Sequence, residues 1–156
     1  MPMKLFSFVS FALLISAVLV SCSSLTLENV NFAWPVESVL TVGQDNRVEE
    51  GRYALSLSVA QLAEKEFEDS TALRGSQLRV IRSGEGYYFV TGPRFKNVYV
   101  FAPGAAQLSA EGIIEVSQTG LSNPALNQRP PHVELLDGPD FRKLLRHDGI
   151  VEDEKK

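Results

Sequence analysis

His132 and His147 are the residues of this chain best suited to acid–base chemistry, because histidine exchanges protons near neutral pH. They lie on different predicted elements, and neither belongs to an H-E-x-x-H zinc motif. The chain also lacks a G-x-S-x-G nucleophile elbow and an S-x-x-K motif. A Ser–His–Asp set using His132 and Asp137 has no diagnostic spacing. The sequence therefore predicts no catalytic residues, and a hydrolase ranks last among the alternatives.

Metal and cofactor chemistry is not indicated either. The polar segment 43–51, GQDNRVEEG, carries Asp45, Asn46, Glu49 and Glu50 but does not match the D-x-[DN]-x-[DN]-G pattern of a calcium loop. The glycines of SGEGYYF lack the strand–G-x-G-x-x-G–helix context of a dinucleotide site. The net charge of −4, with no basic block, argues against nucleic acid. We predict no metal, no cofactor and no nucleic-acid partner.

The single cysteine, Cys22, directly follows an apolar segment at the N-terminus. Residues 5–20, LFSFVSFALLISAVLV, are uncharged and follow Lys4, which is the layout of a secretory signal peptide. The segment is shorter than the roughly 20 residues that span a bilayer as a helix. A removed signal peptide is therefore preferred to a retained transmembrane anchor.

The apolar segment ends in Leu19-Val20-Ser21-Cys22, which resembles the lipobox of bacterial lipoproteins. The resemblance covers residues 1–22 and implies cleavage before Cys22, a diacylglyceryl thioether on its sulfur and a fatty acyl group on its new amino terminus. Several acyl chains give stable membrane anchoring where one does not. The resemblance thus implies a lipid partner and a cell-envelope location. Because Ser23 is not the Asp that retains some lipoproteins at the inner membrane, the periplasmic face of the outer membrane is favoured.

Two alternatives stay open at this end of the chain. Cleavage after Ser23, with Ser21 and Ser23 as the small residues of a conventional site, would release a secreted protein. Cys22 could also be an ordinary thiol. Inner-membrane retention is a further option.

Aromatic residues cluster in the middle of the chain. The segments YYFV and NVYVF are apolar on both faces, whereas a strand with one wet face should alternate. Either these strands are covered on both sides, or one aromatic face is exposed for binding. The candidate binding surface consists of Tyr87, Phe89, Phe95, Tyr99 and Phe101.

The predicted elements are short strands with turns. Strands are predicted over 36–42, 52–59, 76–82, 87–92, 97–103, 112–117 and 132–136. A short helix is predicted over 60–69, where Ser58 and Gln61 have capping-box spacing. A second helix is predicted after Pro139, with Phe141, Leu144 and Leu145 on one face and Gly149 as its cap. Pro124, Pro130 and Pro131 predict a long loop over 118–131, where a lid is one option.

These elements define the predicted architecture. The fold class is mainly β, an antiparallel β-sandwich or partly open barrel of about seven strands with two short helices. The alternative is an α+β fold with the C-terminal helix on one face of an antiparallel sheet. The predicted organisation is a signal peptide (1–21), a lipidated tether (22–33), one β-rich domain (34–149) and a flexible tail (150–156).

The function predicted from these features is that of a non-enzymatic, membrane-anchored envelope lipoprotein that binds a partner protein or envelope component. A binder of a small apolar ligand in a barrel cavity is the second hypothesis. A hydrolase acting on the envelope is the third.

Overall fold

The computed structural model describes residues 36–52, 54–104 and 108–151. The chain divides into two units, Met1–Phe32 and Ala33–Lys156, and every described residue belongs to the second. This part of the chain is mainly β, and all of its strand pairs are antiparallel. Cys22 and the predicted tether lie outside the described residues.

The first sheet has five strands in the order β1-β4-β5-β6-β7. Their bounds are β1 Ser38–Thr41, β4 Gln77–Arg82, β5 Tyr88–Thr91, β6 Asn97–Pro103 and β7 Leu108–Glu115. Strands β4, β5 and β6 form a meander, which the short connections between them predict. The pairing of β6 with β7 shifts register between Val100 and Phe101, which is a β-bulge.

The second sheet has four strands in the order β11-β10-β9-β8, each paired with its neighbour in sequence. Their bounds are β8 Pro124–Arg129, β9 His132–Asp137, β10 Arg142–Arg146 and β11 Gly149–Val151. A separate hairpin pairs β2 Arg47–Glu50 with β3 Leu55–Ser58. Each of these sheets ends in edge strands among the described residues, so none closes into a barrel.

One helix, α1 Ala60–Phe67, occurs in the described part of the chain. It buries Leu62 and Ala63 and directly follows β3, as the change of hydrophobic period at residue 60 predicts. The predicted capping box does not form, because the N-cap residue is Val59 and no side chain caps the helix. Glu68, in the left-handed region at φ 58°, ends the helix.

The first sheet separates two hydrophobic cores. Alternate residues of a strand point to opposite faces, so Val90 packs toward α1 and the β2–β3 hairpin, whereas Phe89 packs toward the second sheet. The core that includes residues of the second sheet contains Leu126, Val133 and Leu145. Coverage of both faces explains why YYFV and NVYVF lack polar alternation.

The predicted C-terminal helix is wrong. Residues 142–146 form β10, and Gly149, the expected cap, begins β11. The apolar spacing of Phe141, Leu144 and Leu145 suits a helix, but pairing with β9 turns Leu145 into the core and Leu144 to the opposite face. The domain therefore continues through β11 to Val151, beyond the predicted boundary at residue 149.

The long loop predicted over 118–131 is also wrong in its second half, which forms β8. Pro124 is the first residue of β8, where a missing backbone N–H is tolerated, and Pro130 and Pro131 form the turn into β9. Because the prolines stand at the ends of the strand, they do not interrupt its pairing. Strands β2, β10 and β11 were likewise not predicted, and the predicted total of seven strands is too low.

Candidate functional site

A groove of about 350 Å³ lies where α1 and β3 face β6 and β7. Its lining is mainly apolar, with polar side chains on the walls contributed by α1 and β7. The lining residues are Leu57, Ser58, Gln61, Leu62, Lys65, Tyr99, Val100, Phe101, Ala110, Glu111, Gly112 and Ile113. The groove is thus built from the β3–α1 segment and the paired strands β6 and β7, which are far apart in sequence from that segment.

The α1 side of the groove is fixed by burial of the helix. Leu62 and Ala63 pack into the first core, which leaves Gln61 and Lys65 on the groove wall. Leu57, from β3, packs beside them at the edge of the same core. Ser58 and Gln61, predicted as capping residues, are groove-lining residues instead.

The sheet side of the groove is shaped by the bulge between β6 and β7. Tyr99 is paired with Ile113 and Phe101 with Ala110, so the register leaves Glu111 as the extra residue. Ile113 lies opposite Tyr99 and is 44% exposed, one of the few large apolar side chains in the described part that face solvent. The groove is therefore open along β7.

Glu66 anchors the floor of the groove to the helix. Its Oε2 accepts hydrogen bonds from Tyr99 Oη at 2.7 Å and Asn97 Nδ2 at 2.9 Å, and its Oε1 accepts one from the backbone N–H of Lys96. Burial, and then the hydrogen bond to Glu66, raise the pKa of the Tyr99 phenol. The phenol therefore stays neutral and directed at Glu66, and its ring is held against the groove.

Two of the five predicted aromatic residues line the groove. Tyr99 is buried with its ring edge at the floor, and Phe101 is partly exposed beside it. Phe95 lies behind them, fully buried, with its ring centroid 6.1 Å from that of Tyr99 in an edge-to-face arrangement. Two aromatic rings therefore contribute to the groove lining, and a third packs behind them in the core.

The other two aromatic residues lie elsewhere. Phe89 is buried in the core on the opposite face of the first sheet. Tyr87 is partly exposed and stacks on His147, with ring centroids 4.4 Å apart and an interplanar angle of 8°. The five residues predicted as one surface are therefore not a single surface. Phe89, on β5, and Phe95, in the turn between β5 and β6, are core residues, and β5 is covered on both sides.

The two histidines lie on different elements of the second sheet. His132 begins β9, and His147 lies in the turn between β10 and β11. Nδ1 of His147 is 3.4 Å from Glu85 Oε2, which places the imidazole between a carboxylate and the Tyr87 ring. Neither histidine lines the groove.

The polar side chains of segment 43–51, which does not match a calcium loop, make hydrogen bonds to neighbouring residues. Asp45 Oδ1 accepts the N–H of Arg47, Asn46 Oδ1 accepts from Arg74 Nε, and Glu49 Oε1 accepts from Ser56 Oγ. Within residues 36–52, 54–104 and 108–151, no group of three or more His, Cys, Asp or Glu side chains could hold a metal ion.

The groove has carboxylates on its β7 side and a lysine on its helix side. Glu111 lines it and Glu115 follows on the same side of β7, while Lys65 stands on the helix wall beside Glu64. None of these four side chains makes an ion pair with a described residue.

Comparison with known proteins gives no relative for this fold or site: no family model, curated protein or solved structure matches the chain. In the described residues, no helix is both long and apolar enough to cross a membrane.

Proposed function

We propose that this chain is a non-enzymatic lipoprotein of the bacterial cell envelope that uses the groove between α1 and β7 to bind a partner protein. The observation that carries the proposal is the groove itself, an apolar floor open along an exposed strand. Exposed apolar side chains surrounded by polar ones are typical of protein interaction sites. The periplasmic face of the outer membrane is the proposed location.

The anchor in this proposal is Cys22 with its acyl chains. The support is the sequence alone, namely the apolar segment 5–20 followed by Leu19-Val20-Ser21-Cys22. Cells that express the full chain are grown with labelled palmitate, and the label is expected in the wild-type protein and not in Cys22→Ala. Equal labelling of both proteins would exclude acylation at this position.

Partner binding is tested with a photo-crosslinking amino acid placed at Ile113 in the full chain inside living bacteria. Val39 is the matched control position, because it is also an apolar strand residue 44% exposed, and it lies outside the groove. We expect a discrete cross-linked protein from position 113 that is absent from position 39. Identical products from both positions would show that the groove is not the binding surface.

A second candidate, binding of a small apolar ligand, is favoured by the groove volume. About 350 Å³ lies at the lower end of the range for small-molecule pockets, roughly 300–1,000 Å³. In this candidate function the ligand binds in the groove and not in a barrel cavity. Here N-phenylnaphthylamine would fluoresce on binding, and Leu62→Ala, which enlarges the groove, would change its affinity, whereas Leu126→Ala in the other core would not.

The proposal of a non-enzymatic protein is tested by replacing His132 and His147 together with Gln. The cross-linking from position 113 and any envelope phenotype are expected to persist. Loss of the phenotype with the fold and the cross-link intact would favour the hydrolase alternative.

A further inference from the structure

Strand β7 forms one edge of the first sheet in the described part of the protein. It pairs only with β6 among the described strands, and with eight residues it is the longest edge strand there. In an antiparallel pair, alternate residues direct their backbone N–H and C=O groups away from the partner strand. Half of the backbone groups of β7 therefore point to the open side of the sheet, where a further strand could add.

The comparable edge of the second sheet is blocked. The backbone N–H of Leu126 on β8 donates to Glu37 Oε1 at 2.9 Å, so a side chain already occupies that edge. The remaining edges among the described strands are shorter, with four residues in each of β1, β2 and β3 and three in β11. Strand addition is thus best accommodated at β7.

The groove provides side-chain contacts for an added strand. On the α1-facing side, β7 presents Glu111, Ile113 and Glu115 in sequence, with Ile113 against the apolar floor at Tyr99. A neighbouring strand places one side chain opposite each of these residues. An apolar residue opposite Ile113 would extend the apolar floor, and residues opposite Glu111 and Glu115 would meet carboxylates.

The charge of the rim selects among possible occupants. A second copy paired antiparallel about Ile113 would place Glu111 opposite Glu115 of the other copy, and like charges in that position are destabilising. A purely apolar ligand would make no charged contact with either carboxylate. A peptide with a basic residue two positions before and two positions after an apolar residue places a cation opposite each carboxylate and an apolar side chain over the floor.

We infer that β7 binds an extended peptide segment in which a lysine or arginine stands two residues before and two residues after an apolar residue, and that the segment joins the first sheet as a strand beside β7. Backbone hydrogen bonds along β7 supply affinity, and Glu111, Ile113 and Glu115 supply specificity. This inference rests on the proposed partner-binding function and names the chemistry of the partner segment.

The test uses the full chain and two fluorescent synthetic peptides at low salt, a Lys–Val peptide with Lys-Ser-Val-Ser-Lys at its centre and a Glu–Val peptide with Glu-Ser-Val-Ser-Glu there. The Lys–Val peptide is expected to bind at least about tenfold more tightly than the Glu–Val peptide. The Glu111→Lys/Glu115→Lys variant should reverse this preference. The matched double variant Glu49→Lys/Asp140→Lys changes two exposed carboxylates outside the groove and should keep it. A Lys–Val peptide methylated on alternate backbone nitrogens should lose binding.

Amide hydrogen exchange shows where on the protein the peptide binds. Binding of the Lys–Val peptide should slow exchange in residues 108–115 and leave β8 unchanged. Tight binding of the methylated peptide, unchanged exchange in β7, or equal effects of the two charge-reversal variants would each overturn the inference. If β7 is protected without peptide and sedimentation shows self-association, the occupant of the edge is a second copy of the chain. If the peptide displaces N-phenylnaphthylamine but does not protect β7, the groove is a small-ligand site instead.

These results separate the inference from the function on which it rests. If no peptide binds but the cross-link from position 113 persists, the partner-binding function stands and the strand-addition mechanism is wrong. If peptides protect β7 but position 113 captures nothing in cells, the edge can bind peptides and the proposed function fails.

Discussion

Tyr99 Oη lies 2.7 Å from Glu66 Oε2, and this hydrogen bond joins strand β6 to the only helix in the described residues. The same carboxylate also accepts from Asn97 Nδ2 and from the backbone N–H of Lys96. One partly buried side chain on α1 thus satisfies three donors of β6 and the turn before it. The position of the groove wall relative to its floor depends on this carboxylate.

Removal of the acceptor should therefore cost more stability than removal of one donor. Tyr99→Phe leaves Glu66 with two partners and should lower the free energy of unfolding by about 1 kcal/mol. Glu66→Ala leaves three donors without their acceptor and should lower it by roughly 2–3 kcal/mol. Urea denaturation of both single variants and the double variant measures these values and their coupling. Equal losses for the two single variants would show that the other two hydrogen bonds contribute nothing.

Tyr99 should also make the protein sensitive to alkali. Its pKa is raised in the folded state, first by burial and then by Glu66, whereas an unfolded tyrosine has a pKa near 10.0. The neutral phenol therefore stabilises the fold fully below pH 10, and this contribution declines as pH rises from that value toward the folded pKa. Tyrosinate absorbance should show one of the four tyrosines ionising late, together with unfolding.

The control for this titration is Tyr99→Phe, which should lack the late phase and lose stability less steeply above pH 10. If the late phase remains in Tyr99→Phe, another tyrosine carries the raised pKa.

Sequence reasoning located the elements that carry strong apolar alternation and missed those that do not. Strands β3, β4, β5 and β6 alternate or are continuously apolar, so their patterns predict strands. Strand β2, RVEE, has a single apolar residue and becomes a strand through pairing with β3. The apolar residues of β10 have helical spacing, but pairing with β9 on one side and β11 on the other makes this segment a strand. Long-range pairing of this kind is not encoded in local periodicity.

The groove was not predictable for a related reason. It forms where residues 57–65, 99–101 and 110–113 meet, and no single stretch displays a binding motif. Tyr99 and Phe101 were named because aromatic residues are enriched at interfaces, and this signal alone could not separate them from Phe89 and Phe95 in the cores. Glu66 lies within a run of acidic residues that resembles a solvated helix face.

Gly120 is required by the close approach of two loops. Its φ is 93°, and a Cβ there would stand 2.7 Å from the carbonyl oxygen of Arg94. The backbone N–H of Arg94 donates a hydrogen bond to the carbonyl oxygen of Leu121, and the N–H of Leu121 donates to the carbonyl oxygen of Phe95. These hydrogen bonds hold the two loops together, so the Arg94 carbonyl cannot move freely. Gly120→Ala should therefore cost about 3 kcal/mol or more, from the left-handed backbone and the clash together.

Gly138→Ala is the matched control, because its φ is 76° and nothing lies within 4 Å of the added Cβ. It should cost only about 1–2 kcal/mol for the backbone conformation. Thermal unfolding of both variants measures the difference. Similar losses would mean that the loop at residue 94 adjusts at little cost.

Glu37 connects the two sheets and should govern the stability of the β8 edge. Its Oε2 lies 3.2 Å from Arg79 Nη1 on β4, and its Oε1 accepts the N–H of Leu126 on β8. Glu37→Ala leaves that N–H and a partly buried guanidinium without an acceptor, so the free energy of unfolding should fall by about 1–3 kcal/mol. Glu37→Gln keeps a neutral acceptor for Leu126 and should cost less. Exchange of the Leu126 amide hydrogen, followed by NMR, should accelerate strongly in Glu37→Ala and weakly in Glu37→Gln.

The control is the exposed Glu49→Ala variant, which should leave both the Leu126 exchange rate and the free energy of unfolding nearly unchanged. An unaltered Leu126 exchange rate in Glu37→Ala would show that Glu37 does not protect the β8 edge.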